Sequence, residues 1–247
     1  MKSIRLAIII LVTTSQPLVA GTMRIRVRGE DLGQPLEVCT PHGCQVVSET
    51  PGETVFYIGT CYGIGGYRQG CHILVTNQHV ISAAERPIGS PEVDVDGHWL
   101  PVRVLFSELP PDLAVLELAY EGAVPCHRLA ATDAQPAQRV RVHGSTSAVS
   151  HRTVIGRRLD PQTGAPGIAF KGVVENGDSG GLVENEKGEA VGLVALSSYA
   201  TRLGPGDPDA FTWFVPASAI RQQILQRDWP HKEDGRLLGL PSCRYGD

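Results

Sequence analysis

Residues 175–183 read Glu-Asn-Gly-Asp-Ser-Gly-Gly-Leu-Val, a serine set between glycines and followed at once by apolar residues. A serine hydroxyl attacks a carbonyl only when a base takes its proton and hydrogen-bond donors hold the oxyanion that forms. The glycines serve the second need. In Gly177-Asp178-Ser179-Gly180-Gly181 the missing side chains permit a tight turn in which the amides of Gly177 and Ser179 can face one oxygen. The same five residues also suit an ordinary turn, so their reading depends on a base and a carboxylate elsewhere in the chain.

The base stands in Ile73-Leu74-Val75-Thr76-Asn77-Gln78-His79-Val80-Ile81. His79 falls where an apolar strand gives way to a turn, a place that exposes a side chain while holding its backbone firmly. A lone histidine there is more often structural. His42 and His151 lie in polar surroundings, His127 follows a proline and a cysteine, and His72 adjoins Cys71. The carboxylate stands in Pro110-Pro111-Asp112-Leu113-Ala114-Val115-Leu116, at the mouth of a second apolar strand. A buried Asp fixes the imidazole tautomer and stabilises the imidazolium that forms. Asp94 and Asp96 are rivals, but they alternate with valines as the solvent face of a strand does.

Around these segments the chain reads as β structure. Short runs rich in β-branched and aromatic residues recur between turn signals at 23–27, 54–60, 73–76, 93–95, 101–106, 113–118, 139–143, 167–170, 181–183 and 190–196. Only 217–226 has a helical pattern, with Ile220, Ile224 and Leu225 on one face and Ser218 as a capping residue behind Pro216. Glycine and proline gather at 160–167 and 203–209, which read as surface loops. The 247 residues suit one barrel-type unit. A formal net charge of −4 gives no reason to expect nucleic acid or an anionic membrane as partner, although Arg152, Arg157 and Arg158 make a local basic patch.

The first twenty residues have the order of a secretory signal peptide: Lys2 and Arg5, an apolar run over 6–12, then Leu18-Val19-Ala20 before Gly21. That run is far shorter than the roughly 20 residues that span a bilayer. All six cysteines, Cys39, Cys44, Cys61, Cys71, Cys126 and Cys243, lie downstream of this segment, an even number that suits disulfides in an exported protein. Cys61 with Cys71 would staple a hairpin, and Cys39 with Cys44 would close a small loop. A zinc site from Cys39, His42, Cys44, Cys71 and His72 is the rival, but the spacings do not make paired Cys-x-x-Cys units.

The order His79, Asp112, Ser179 is that of the chymotrypsin arrangement, and differs from subtilisin and the α/β-hydrolases. Leu-Val-Thr-Asn-Gln-His-Val-Ile, Asp-Leu-Ala-Val-Leu-Glu-Leu and the run from Gly177 to Leu196 resemble the three catalytic segments of trypsin-like serine peptidases. Thr76 to Ile81 in particular resembles the bacterial HtrA branch, and Phe214 to Ile220 resembles the segment that closes its protease domain.

The resemblance implies an all-β fold of two six-stranded antiparallel β-barrels with a C-terminal helix and the active site between them. The expected organisation is a signal peptide over 1–20 and a single protease domain over 21–247. Within it the first barrel covers about 21–130, the second about 131–226 and a tail 227–247. It implies Ser179 as nucleophile, His79 as base, Asp112 as its orienter and the Gly177 and Ser179 amides as oxyanion hole. Peptides or proteins are the implied substrates, with no metal or cofactor. By the same analogy Val173 lies at the base of the substrate pocket and Ala195, Leu196 and Ser197 along one wall. With no acid at that base, a small or medium apolar residue is expected before the scissile bond. No Ile-Val-Gly-Gly-like start follows Gly21, so Asp178 needs another partner, an arginine or backbone amides, and no zymogen cleavage is expected. Two alternatives stay open: a catalytically silent domain of this fold that binds peptides, and a viral polyprotein protease whose hydrophobic start is an anchor or processing remnant.

Overall fold

The computed structural model describes residues 22–28, 37–40, 43–46, 55–63, 71–82, 89–124, 126–144, 149–160, 164–175, 177–197 and 209–225. The segments 1–20 and 227–247 of the expected organisation lie outside them. In chain order the first half carries β1 (Thr22–Val27), β2 (Glu37–Thr40), β3 (Gly43–Val46), β4 (Val55–Gly63), β5 (Cys71–Thr76), α1 (Gln78–Ile81), β6 (Glu92–Val95), β7 (His98–Pro101), β8 (Arg103–Glu108), β9 (Leu113–Ala119) and β10 (His127–Arg128). The second half carries β11 (Arg139–His143), β12 (Ser150–Leu159), β13 (Pro166–Lys171), β14 (Leu182–Asn185), β15 (Ala190–Ser197), β16 (Phe211–Pro216) and α2 (Ala217–Leu225).

The second half is the expected six-stranded closed barrel, in the order β11-β12-β13-β16-β15-β14. The first half departs from the expected count: it is one eight-stranded sheet, ordered β7-β6-β1-β4-β5-β9-β8, with β10 beside β4. Two local causes account for the extra strands. Asp96 and Gly97 take left-handed φ values of 51° and 83°, which turn the chain back as a tight hairpin and divide 92–101 into β6 and β7. Beyond β9 the chain returns to lay β10 parallel to the end of β4. Only Val102 separates the two outermost strands, β7 and β8, so the sheet must curl until they meet end to end. Val102 is buried there and its amide donates to the Pro91 carbonyl at 2.8 Å. β2 and β3 form a separate hairpin with Cys39 opposite Cys44.

Period-2 alternation sends side chains into three cores. Met23, Ile25, Leu74, Val93, Leu116 and Leu118 fill the first half, whereas Val140, Val142, Val154, Phe170, Val183 and Phe214 fill the barrel. The third core joins the two halves: Ile73 and Val75 of β5 and Leu113 and Val115 of β9 meet Leu182, Leu193 and Ala195 of the barrel and Ile220 and Ile224 of α2. β5 and β9 therefore bury both faces, which is why they read as near-continuous apolar runs.

α2 begins at Ala217, as the helical pattern predicts. Its start is fixed from outside: the Ser218 amide and hydroxyl both donate to Asp133, each at 2.8 Å. Arg221 donates to the Ala130 and Ala131 carbonyls. Thus Ser218 uses its hydroxyl on the connection between the halves rather than on its own helix.

Candidate active site

His79 and Asp112 come together at the ends of neighbouring strands. β5 pairs with β9 in the register Thr76 to Ala114, which brings the residues beyond Thr76 beside those preceding Leu113. Asn77, fully buried, donates its side-chain amide to the Asp112 carbonyl at 3.0 Å, and the four-residue α1 then turns His79 back over Asp112. Asp112 Oδ1 accepts the His79 amide at 3.0 Å and Oδ2 lies 2.6 Å from His79 Nδ1. A carboxylate only accepts, so Nδ1 carries the hydrogen in this contact, and in that tautomer of the imidazole Nε2 is the acceptor nitrogen. The Asp112 side chain is 10 % exposed and that of His79 is 41 % exposed, so the pair holds its geometry at the rim of the protein. Asp94 is excluded as a rival: it is buried rather than on the solvent face, accepting from Arg24 and from the Gly97 amide. Asp96 is exposed in the β6–β7 turn.

Ser179 lies on a loop stitched into the barrel. The Gly180 amide donates to the Val194 carbonyl and the Val194 amide to that of Gly181, each at 2.9 Å, so the loop prolongs the β14–β15 ladder. A register shift between Val194 and Leu196 makes Ala195 a bulge, and a bulge re-aims its backbone. The Ala195 carbonyl accepts the Ser179 hydroxyl at 3.4 Å. The hydroxyl thus points along β15, and its hydrogen bond is to Ala195 rather than to His79. Gly177 and Gly180 take φ values of 92° and 85°, which a side chain would resist. Asp178 is 2 % exposed and Oδ2 accepts the Glu175 amide at 3.1 Å, a backbone partner of the kind its burial demands.

The floor under this loop is the end of β11. A Cβ on Gly144 would lie within 2.7 Å of all three carboxyl atoms of Asp178, and one on Gly181 within 2.8 Å of the carbonyl oxygens of His143 and Asp178. These glycines are required by close approach rather than by φ.

Residues 56–193 match the family model of the trypsin-like peptidase domain, more than half of the chain. The chain belongs to the trypsin-like peptidases. No curated protein matches it. Among solved structures, this trypsin-like peptidase is similar to the Rv3671c protease from M. tuberculosis in its active form, with a TM-score of 0.53 and 16 % identity over 82 % of this chain and 79 % of that one. At that identity the likeness concerns the fold. Family membership makes the protein a serine endopeptidase.

Among the pocket residues named from sequence, Val173 lies on the segment between β13 and the Ser179 loop, and Ala195 at the bulge. Leu196 and Ser197 pair with Trp213 and Thr212 of β16; their side chains lie outside the described residues. Three contributors escaped the sequence reading of this trypsin-like peptidase. Asn77 was given no role, although its position two residues before His79 was the available signal. Arg152, read as part of a surface patch, reaches the Val173 carbonyl with Nη2 at 3.3 Å. His143 is buried beneath the loop, its Nε2 2.9 Å from Glu184, which also pairs with Arg141.

Burial pushes the His143 pKa below its ordinary 6.5, opposed by the hydrogen bond and charge of Glu184 and reinforced by the charges of His127 and Arg141. As pH falls, the unfolded chain takes this proton first, so His143 removes stability from about pH 6.5 downward through its folded value, at most about 1.4 kcal/mol per pH unit. His143→Gln is expected to melt with a smaller loss of Tm than wild type between about pH 7.5 and about pH 5.5. Equal losses in scanning calorimetry would show that His143 is not the titrating group.

Proposed function

We propose that Ser179, His79 and Asp112 form the catalytic triad of this serine endopeptidase. The observation that carries the reading is the His79–Asp112 contact, which leaves Nε2 as a proton acceptor on the side of the ring away from the carboxylate. In the reaction, Nε2 takes the hydroxyl proton as Ser179 Oγ bonds to the substrate carbonyl carbon, and the Gly177 and Ser179 amides hold the oxyanion. The imidazolium, stabilised by Asp112, gives its proton to the leaving amine as the C–N bond breaks. Water then repeats the sequence on the acyl-enzyme, releasing the acid and free Ser179. The core shared by Leu113, Leu182 and Ala195 supports this union of halves, since each adjoins or belongs to a segment bearing a triad member. The binding of the Asp178 carboxylate by the Glu175 amide supports activity without zymogen cleavage.

A second reading is favoured by the turn of the Ser179 hydroxyl toward Ala195: a domain of this fold that binds peptides without cleaving them. A fluorophosphonate probe separates the two. The triad predicts an adduct on Ser179 by peptide mapping that disappears in Ser179→Ala and His79→Ala, and a folded wild type that never labels would decide for the binding domain.

The same proposal places the enzyme outside the reducing cytosol, secreted or periplasmic, after removal of residues 1–20. It is supported by the six cysteines, an even number that suits disulfides in an exported protein. The register also bears on pairing. Cys61 stands opposite Leu74, three positions from Cys71, whereas the parallel alignment of His127 with Tyr62 brings Cys126 level with Cys61. Non-reducing peptide mapping of exported protein should therefore give a start near Gly21 and a Cys61–Cys126 peptide. A retained start or a Cys61–Cys71 peptide would contradict export or pairing respectively.

A further inference from the structure

Arg152 sits where a polar strand turns inward. Along β12, His151 and Thr153 are exposed and Val154 fills the barrel core, so Arg152 shares the inward face two residues nearer the barrel's end. Continuing the pairing of Val154 with Phe170 brings it opposite Gly172, where the chain leaves β13 for the Ser179 loop. Gly172 has no side chain to fill that position. The guanidinium lies there instead, its Nη1, Cζ and Nε 3.7–3.9 Å from where a Cβ would be. Nη2 donates to the Val173 carbonyl, while Nε is buried with no hydrogen-bond partner among the described residues.

Among the described residues the guanidinium also has no counter-ion there. Asp178 is the buried acid of the loop and Glu175 the exposed one; Asp178 accepts from the Glu175 amide, and the Arg152 guanidinium is directed instead to the Val173 carbonyl. A cation partly withdrawn from water without a counter-ion is costly, and an incoming carboxylate would relieve that cost with a charge-assisted hydrogen bond. On the pocket reading, with Val173 at the base and Ala195 on one wall, an aliphatic stem agrees with a small or medium side chain in size, but the guanidinium changes what its end should be.

Resting on the reading of Val173 as the pocket base, we propose that Arg152 is a specificity-determining residue that selects an acidic side chain, glutamate above all, immediately before the scissile bond. The test measures kcat/KM on matched quenched-fluorescence peptides that differ only in Glu, Gln, Leu or Lys at that position. Wild type should favour Glu over Gln by about ten- to a hundredfold, the range of a hydrogen bond to a charged group. Arg152→Met should lose that ratio and gain on Leu, while Arg152→Lys, which keeps the charge, should retain a reduced preference for Glu. Fluorophosphonate labelling of Ser179 is run on every variant. A wild type that labels but cleaves Gln or Leu as well as Glu overturns the proposal alone, as does a labelled Arg152→Met that keeps the Glu/Gln ratio. A wild type that neither labels nor cleaves overturns the catalytic reading on which it rests.

Discussion

Asp112→Asn should lower kcat by about four orders of magnitude while leaving the fold intact. The expectation follows from the two bonds that Asp112 makes. Its Oδ1 accepts the His79 amide and its Oδ2 faces Nδ1. An asparagine of the same shape keeps one of these as an acceptor, but its amide donates toward Nδ1 and imposes the other tautomer, with hydrogen on Nε2. That nitrogen then has no lone pair to take the Ser179 proton. Asn77 still holds the Asp112 backbone, so the loop should stay in place. The readout is kcat on a peptide substrate together with Tm. A loss of less than tenfold in a well-folded variant would mean that His79 is oriented by something other than this carboxylate.

Gly144→Ala should lower kcat/KM by about a hundred- to a thousandfold, the scale of losing an oxyanion donor. The added methyl group overlaps the Asp178 carboxylate, which is buried at 2 % exposure. Relief must come from rotation of Asp178 away from the Glu175 amide, with a shift of the adjoining Gly177 and Ser179 backbone. Gly144 itself lies at the end of β11, so the barrel core should survive. Labelling by fluorophosphonate falling with activity, at little change in Tm, is the expected pattern. Unchanged labelling would show that the loop does not depend on the position of Asp178.

The proposed triad could be picked out in the sequence because its residues stand in short runs at strand ends, each flanked by apolar residues: His79 after Ile73-Leu74-Val75, Asp112 before Leu113-Ala114-Val115, and Ser179 among glycines. β12 was not legible. Ser-His-Arg-Thr-Val-Ile-Gly-Arg-Arg-Leu is mostly polar and is interrupted by an irregularity between Val154 and Gly156, so its alternation is broken where a period would be counted. β16 was missed because residues 211–216 carry an inward and an outward aromatic in close succession, Phe214 in the barrel core and Trp213 donating to the Leu159 carbonyl. The burial of His143 and the inward turn of Arg152 escaped for a related reason: both sit on outwardly polar strands, and only closure of the barrel brings the Ser179 loop over one and Gly172 against the other. Strand count in the first half depended on the Asp96-Gly97 turn, whose positive φ values leave only a weak trace in composition.

α2 adds three constraints at once. Ile220 and Ile224 enter the core between the halves, Ser218 holds Asp133, and Arg221 holds the carbonyls of Ala130 and Ala131. On the ribosome the first-half sheet can form as soon as β10 has emerged, and the barrel once β16 has followed. The core between the halves, however, lacks Ile220 and Ile224 until α2 is translated. A nascent chain therefore carries His79, Asp112 and Ser179 before the contacts that join its two halves are complete, and the last helix to be made closes that interval.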